Sequence, residues 1–210
     1  MSFHSRLPAL PLVVNDPYFS IWLPGDRPTD AQSIHWSGAR KPIKGYIDVD
    51  GCRYRFLGKD GVRAAETLEV EVSASATRFS MRAGAVRLEA VFWSPALAAD
   101  WDALSTPVTF VDFEAWAEDG QAHEVRVSLE VDGRICYDGE MQPELHVDAF
   151  VSGGVAYGLM GQKRQRVLSH SGDHVTMDWG YCWMASWQRV TCGPALLRGE
   201  WAFTAGERPE

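Results

Sequence analysis

His170, Asp173 and His174 fall together around Ser171 and Gly172. Two imidazoles and a carboxylate are donors of the kind that hold zinc. The glycine inside the cluster favours a turn. Strand alternation would bring both histidines to one face only if the strand ran through that glycine. A polar loop leading into a strand is the simpler reading, and no metal is expected. Asp16, His35 and Ser37 supply the residue types of an acyl-transfer triad, in which a base takes the proton of a hydroxyl nucleophile. Their spacing does not establish that contact, so the catalytic residues stay unknown at this point. Paired acids for glycoside chemistry need a spatial separation of about 5 to 9.5 Å. The 28 acidic residues show no such pairing in sequence, and most fall on the wet phases of alternating segments. A Rossmann fingerprint, a P-loop and an HExxH helix are absent, and no cofactor is expected. Asn15 precedes Asp16-Pro17 and is not a glycosylation acceptor.

The aromatic residues carry more information. There are nine tryptophans, and Trp179, Trp183 and Trp187 recur every four residues, as on one face of a helix. The run Asp178-Trp179-Gly180-Tyr181-Cys182-Trp183 has a glycine in its middle, and a strand would put Trp179, Tyr181 and Trp183 on one face. The strand is favoured. Large rings exposed together mark a partner or a ligand, whereas buried ones are core.

The elements that would position these residues read as strands. Tyr18–Leu23 is a short strand within an otherwise irregular stretch from Pro8 to Pro42, followed by a turn over Pro24–Pro28. Gly45–Val49 and Arg53–Leu57 flank Asp50-Gly51, a strong hairpin signal. Glu66–Val72 and Ala85–Val91 alternate with period two, which predicts one wet and one dry face. With Thr77–Met81 between them they form a three-stranded meander. Ser94–Pro107 reads as a long connection whose one helical turn would start at Ala96–Ala99, with Asp100 and Asp102 breaking its apolar face. Val108–Trp116, His123–Val131, His146–Val151, Val155–Met160 and two stretches within Val175–Val190 complete the strands. The expected fold is all-β, an antiparallel β-sandwich with long connections. Residues 1–42 form an N-terminal segment packing on a sandwich of residues 43–210.

A chain of 210 residues buries about two thirds of its unfolded surface and holds a full core without staples. The net charge of -8 opposes a nonspecific nucleic-acid footprint, and Lys163, Arg164 and Arg166 make only a short basic loop. No apolar run reaches the roughly 18 residues of a membrane span, and no membrane partner is expected. The start of the chain lacks a signal-peptide core, which gives a cytoplasmic expectation, or a secreted one if a signal segment has been removed. Cys52, Cys136, Cys182 and Cys192 form no CxxC pair. Cys136, Cys182 and Cys192 sit beside aromatic or β-branched residues and are expected as small buried hydrophobes.

Pro11-Leu12-Val13-Val14-Asn15-Asp16-Pro17-Tyr18-Phe19-Ser20-Ile21-Trp22 resembles the opening of the fungal and bacterial glutaminase A-like family. The likeness continues through His35-Trp36-Ser37-Gly38, Val49-Asp50-Gly51 and Tyr54-Arg55-Phe56-Leu57-Gly58. It runs on through Ser94-Pro95-Ala96-Leu97 and Leu104-Ser105-Thr106-Pro107-Val108, then Ser171-Gly172-Asp173 and Asp178-Trp179-Gly180-Tyr181. Thr106-Pro107 departs from a frequent Arg-Pro pair. The resemblance implies the N-terminal β region of a longer hydrolase whose catalysis belongs to a C-terminal helical domain. That protein would convert glutamine to glutamate and ammonia, with this chain inactive alone. The alternative is a glycan-binding or accessory domain of a glycoside-hydrolase-like enzyme. Asp16, Tyr18, Trp22, His35 and Trp36, with Asp178, Trp179 and Tyr181, are the expected interface or ligand-facing residues. An uncovered face of this kind would leave the isolated chain open to self-association.

Overall fold

The computed structural model describes residues 7–170, 172 and 175–207. Among the described residues the strands form four sheets, and every ladder between named strands is antiparallel. The first joins β1 (Ala9–Asp16), β2 (Phe19–Pro24) and β3 (Ile34–His35) in that order. The second has the order β14 (Arg189–Gly193), β15 (Leu196–Ala205), β10 (His123–Asp132), β4 (Ile43–Val49) and β5 (Cys52–Leu57). The third is β11 (Leu145–Ser152), β12 (Val155–Gln162) and β13 (Tyr181–Ser186). The fourth is β6 (Glu66–Val72), β7 (Ala76–Ala83), β8 (Val86–Trp93) and β9 (Phe110–Ala117). The all-β sandwich with long connections is the observed fold class.

Leu10, Leu12, Ile21 and Leu23 of the first sheet share one buried cluster with Ile47, Phe56 and Val127 of the second. Met160 of the third and Phe79, Leu88 and Phe92 of the fourth belong to the same cluster. The β4–β5 hairpin turns on Asp50 at φ 49° and Gly51 at φ 82°, the positive pair that a two-residue hairpin turn of matching twist requires. In β8 the predicted phase holds, with Val86, Leu88, Ala90 and Phe92 all buried.

Five expectations need correction. β1 is a full strand where irregular chain was expected. Pro11 is tolerated because β1 lies at a sheet edge and the register shifts between Pro11 and Val13. β15 was not foreseen, although it is central to its sheet. The meander has a fourth strand, β9, and β6 at its edge has no fully buried residue. The short helix α1 is Trp101–Ser105, because Asp100 caps it by accepting from the Ala103 amide at 3.0 Å instead of breaking it. Of the cysteines expected inside, Cys192 is exposed, while Cys136 is buried and its thiol is pushed up to about 11 by that burial.

Candidate functional site

The turn between β1 and β2 is built on Asp16, whose Oδ1 accepts from the amides of Tyr18 at 2.7 Å and Phe19 at 3.1 Å. This side-chain turn aims the Pro17 carbonyl inward. Two rings converge on that oxygen: His35 Nε2 at 3.0 Å and Trp36 Nε1 at 2.6 Å. His35 is 1% exposed. Its Nδ1 accepts from the Ser37 amide at 3.2 Å and lies 2.7 Å from Ser37 Oγ. A donor amide at Nδ1 fixes the proton on Nε2, where it is given to Pro17. Burial lowers the imidazole pKa and keeps the ring neutral, against the raising effect of the Pro17 carbonyl. Trp22 is half-buried and donates to Ser20 Oγ at 2.8 Å.

Ser37 and His35 therefore meet, as a nucleophile and a base would. The third member does not follow. Asp16 spends Oδ1 on backbone amides, and the far nitrogen of His35 holds a neutral carbonyl. A carbonyl stabilises an imidazolium less than a carboxylate does, so the arrangement fastens the loop more than it activates the hydroxyl.

Behind this turn lies Lys41, 3% exposed. Its Nζ donates to the carbonyls of Arg134 at 2.8 Å and Tyr137 at 2.6 Å, at the 3-10 turn Gly133–Cys136. Desolvation draws the ammonium down to about 8, partly offset by the charges of Asp138 and Asp178. Thr176 donates to Asp138 Oδ1 at 3.2 Å, and the Met177 amide donates to the Tyr18 carbonyl at 3.0 Å. That last bond joins the two sequence-predicted groups, which lie far apart in the chain. Asp178 is buried and meets His170 Nδ1 at 2.5 Å through its carboxylate, while its carbonyl accepts from Gln162 Nε2. Sequence reasoning missed Lys41, Asp138 and Thr176.

Trp179 departs from expectation. β13 starts only at Tyr181, because Gly180 at φ 80° bends the chain just before it. Tyr181 and Trp183 share the outer face of the third sheet, 45% and 56% exposed. Phe150 stacks on Tyr157 at 5.4 Å and meets Trp183 edge-on at 6.2 Å. His170 of the conjectured metal cluster pairs with Asp178, while Asp173 and His174 lie outside the described residues. Among the described residues no three acidic, His or Cys side chains are grouped to hold a metal, and no helix is long and apolar enough to cross a membrane.

Residues 75–201, more than half of the chain, match the family described as Domain of unknown function (DUF5127). The chain belongs to the DUF5127 family. Residues 2–69 match a second, Domain of unknown function (DUF4964). The buried junction thus bridges the two matched regions, with Asp16 to Trp36 in the DUF4964 part and Thr176 to Tyr181 in the DUF5127 part. A curated relative, Glutaminase A of Aspergillus oryzae (strain ATCC 42149 / RIB 40), is 26% identical over 194 residues. The alignment covers 87% of this chain and 27% of that protein, so the chain spans about a quarter of the relative's length. No solved structure matches.

Proposed function

We propose that this chain is the non-catalytic β region of a glutaminase-like amidohydrolase. The longer protein would convert glutamine to glutamate and ammonia. The observation that carries the reading is the similarity to Glutaminase A, which runs along 87% of this chain but only 27% of that protein. Amide hydrolysis needs a nucleophile, a base and a group that steadies the base as it takes up charge. The Ser37–His35 contact lacks the last of these, which supports an inactive chain. In this reading residues 1–42 pack on a sandwich of residues 43–210, and a C-terminal helical domain supplies the catalysis. Asp16, Tyr18, Trp22, His35 and Trp36, joined by Asp178, Trp179 and Tyr181, form the side that meets that domain. Tyr18 and Trp36 are exposed on it, while the buried His35 and Asp178 hold its shape.

The test is ammonia release from glutamine by the purified 210-residue chain and by a longer protein carrying it. Release by the longer form alone supports the reading. Steady release by this chain above a heat-killed control refutes it.

A further inference from the structure

A groove of about 380 Å³ runs between β1, the β6–β7 turn and the connection after β8. That volume is within the range of roughly 300 to 1,000 Å³ typical of small-molecule sites. It is lined from both the DUF4964 and DUF5127 regions, with no residue of β2, and it shares only Asp16 with the buried junction. Asn15, Asp16, Ser75, Thr77, Trp93 and Ser94 are among the residues that line it.

The chemistry of its wall narrows what it can hold. None of the described residues lining it is basic. A carboxylate or phosphate would find no cation there, and glutamine would leave its α-carboxylate unpaired. Asp16 uses Oδ1 for its turn, and Oδ2 makes no hydrogen bond among the described residues. The Asn15 side-chain Oδ1 accepts from the Thr109 hydroxyl at 3.3 Å, and the side-chain NH₂ has no partner among the described residues. Thr77 is 2% exposed, yet its hydroxyl also lacks a protein partner there. One face of Trp93 is covered by Phe110, stacked at 4.5 Å, so only the opposite face can meet a ligand.

A free carboxylate oxygen, a free amide donor, a hydroxyl without a protein partner and an indole are complementary to a molecule that is itself uncharged and rich in hydroxyls. Its O–H groups would donate to Asp16 and accept from Asn15, and its C–H face would rest on the ring. An added peptide strand fits less well. The β1 edge lacks an amide at Pro11 and is interrupted by register shifts at Pro11/Val13 and Val14/Asp16, which blunt strand addition.

We propose that this groove binds a neutral saccharide of one or two rings through Asn15, Asp16 and Thr77. The proposal stands independently of the hydrolase reading. It is tested by titrating the ¹⁵N-labelled chain with glucose, mannose and cellobiose, with glutamine and an extended hexapeptide as controls. Saturable shifts of the Asn15 and Thr77 amides by a sugar are expected at millimolar affinity. Thr77→Val, nearly isosteric, is expected to weaken binding about fivefold, the worth of one hydrogen bond. Asn15→Ala tests the donor if the first variant fails to fold. Four results would each overturn the proposal: no saturable shift with any sugar, shifts confined to Phe150 and Trp183, full affinity in both variants, or binding of glutamine or the peptide at the groove in place of a sugar.

Discussion

The junction around Lys41 and the outer face of the third sheet use polar and aromatic residues in opposite ways. At the junction, charged and polar groups are buried, and most of them end on backbone carbonyls or amides. His35 and Trp36 both end on the Pro17 carbonyl, and Lys41 ends on those of Arg134 and Tyr137. On the sheet face, the rings of Phe150, Tyr157 and Trp183 touch one another and remain partly exposed. The first arrangement holds chain segments that are distant in sequence and is sensitive to loss of a single atom. The second contributes little to holding the fold, because its apolar area is only partly removed from water. The buried His35, Lys41 and Asp178 therefore fasten the junction, while Tyr18 and Trp36 stay exposed at its edge.

Removing the Lys41 ammonium is the strongest way to break this contrast. Lys41→Met leaves the Arg134 and Tyr137 carbonyls unpaired in a buried site, and destabilisation by about 2 kcal/mol is expected from urea unfolding at pH 7. The effect should depend on pH. The folded ammonium titrates near 8 against 10.5 when free, so between those values the unfolded chain binds more protons and stability rises with pH. The gain approaches roughly 3 kcal/mol and is expected to vanish in Lys41→Met. A flat pH profile for the unchanged protein over that range would contradict the buried ammonium.

His35 gives a smaller effect at the other end of the scale. Its folded pKa lies below 6.5, so as pH falls through 6.5 the unfolded chain takes up a proton that the folded one refuses, and stability declines. His123 acts in the reverse sense. Asp50 and Asp119 raise its pKa, and its contribution is complete below 6.5 and lost as pH rises through the folded value. The decline is best read in a His123→Asn background, where His35→Gln should abolish it. Persistence of the decline in the double variant would assign it to other groups.

The sequence shows the hairpins and hides what they pack against. Asp50-Gly51 and the period of Val86–Phe92 are local signals, and local geometry satisfies them. β15 carries an apolar inward phase, Leu197, Trp201, Phe203 and Ala205, broken at Gly199. Gly199 is small there to admit the ring of Trp201, which would approach an added Cβ to 2.6 Å. The charge of Asp100 hides its role, since its place ahead of α1 makes it a cap. The aromatic half of the junction was legible because Trp22, His35 and Trp36 sit in a distinctive run. Lys41 was not, since between Arg40 and Pro42 it looks like the basic end of a loop. Its burial depends on carbonyls more than ninety residues away.

The smallest effect on stability is expected on the aromatic face, and it sharpens the comparison from its other side. Trp183 is 56% exposed and has an edge-on contact with Phe150. Such a pair is worth about 0.5 to 1.5 kcal/mol beyond area burial, and less where water reaches the rings. Trp183→Ser is therefore expected to cost no more than about 1 kcal/mol in urea unfolding, against the larger loss from Lys41→Met. Acrylamide should quench a lone Trp183 readily in this chain, and also a lone Trp36, which is exposed at the edge of the junction. A lone Trp22 is half-buried and should be quenched less. Protection of Trp36 in a longer protein, with Trp22 unchanged, is the outcome expected if the N-terminal turn meets a further domain. Equal quenching of Trp36 in both forms would place that contact elsewhere. A loss above 2 kcal/mol from Trp183→Ser would show the sheet face to be part of the core and would erase the distinction drawn between the two regions.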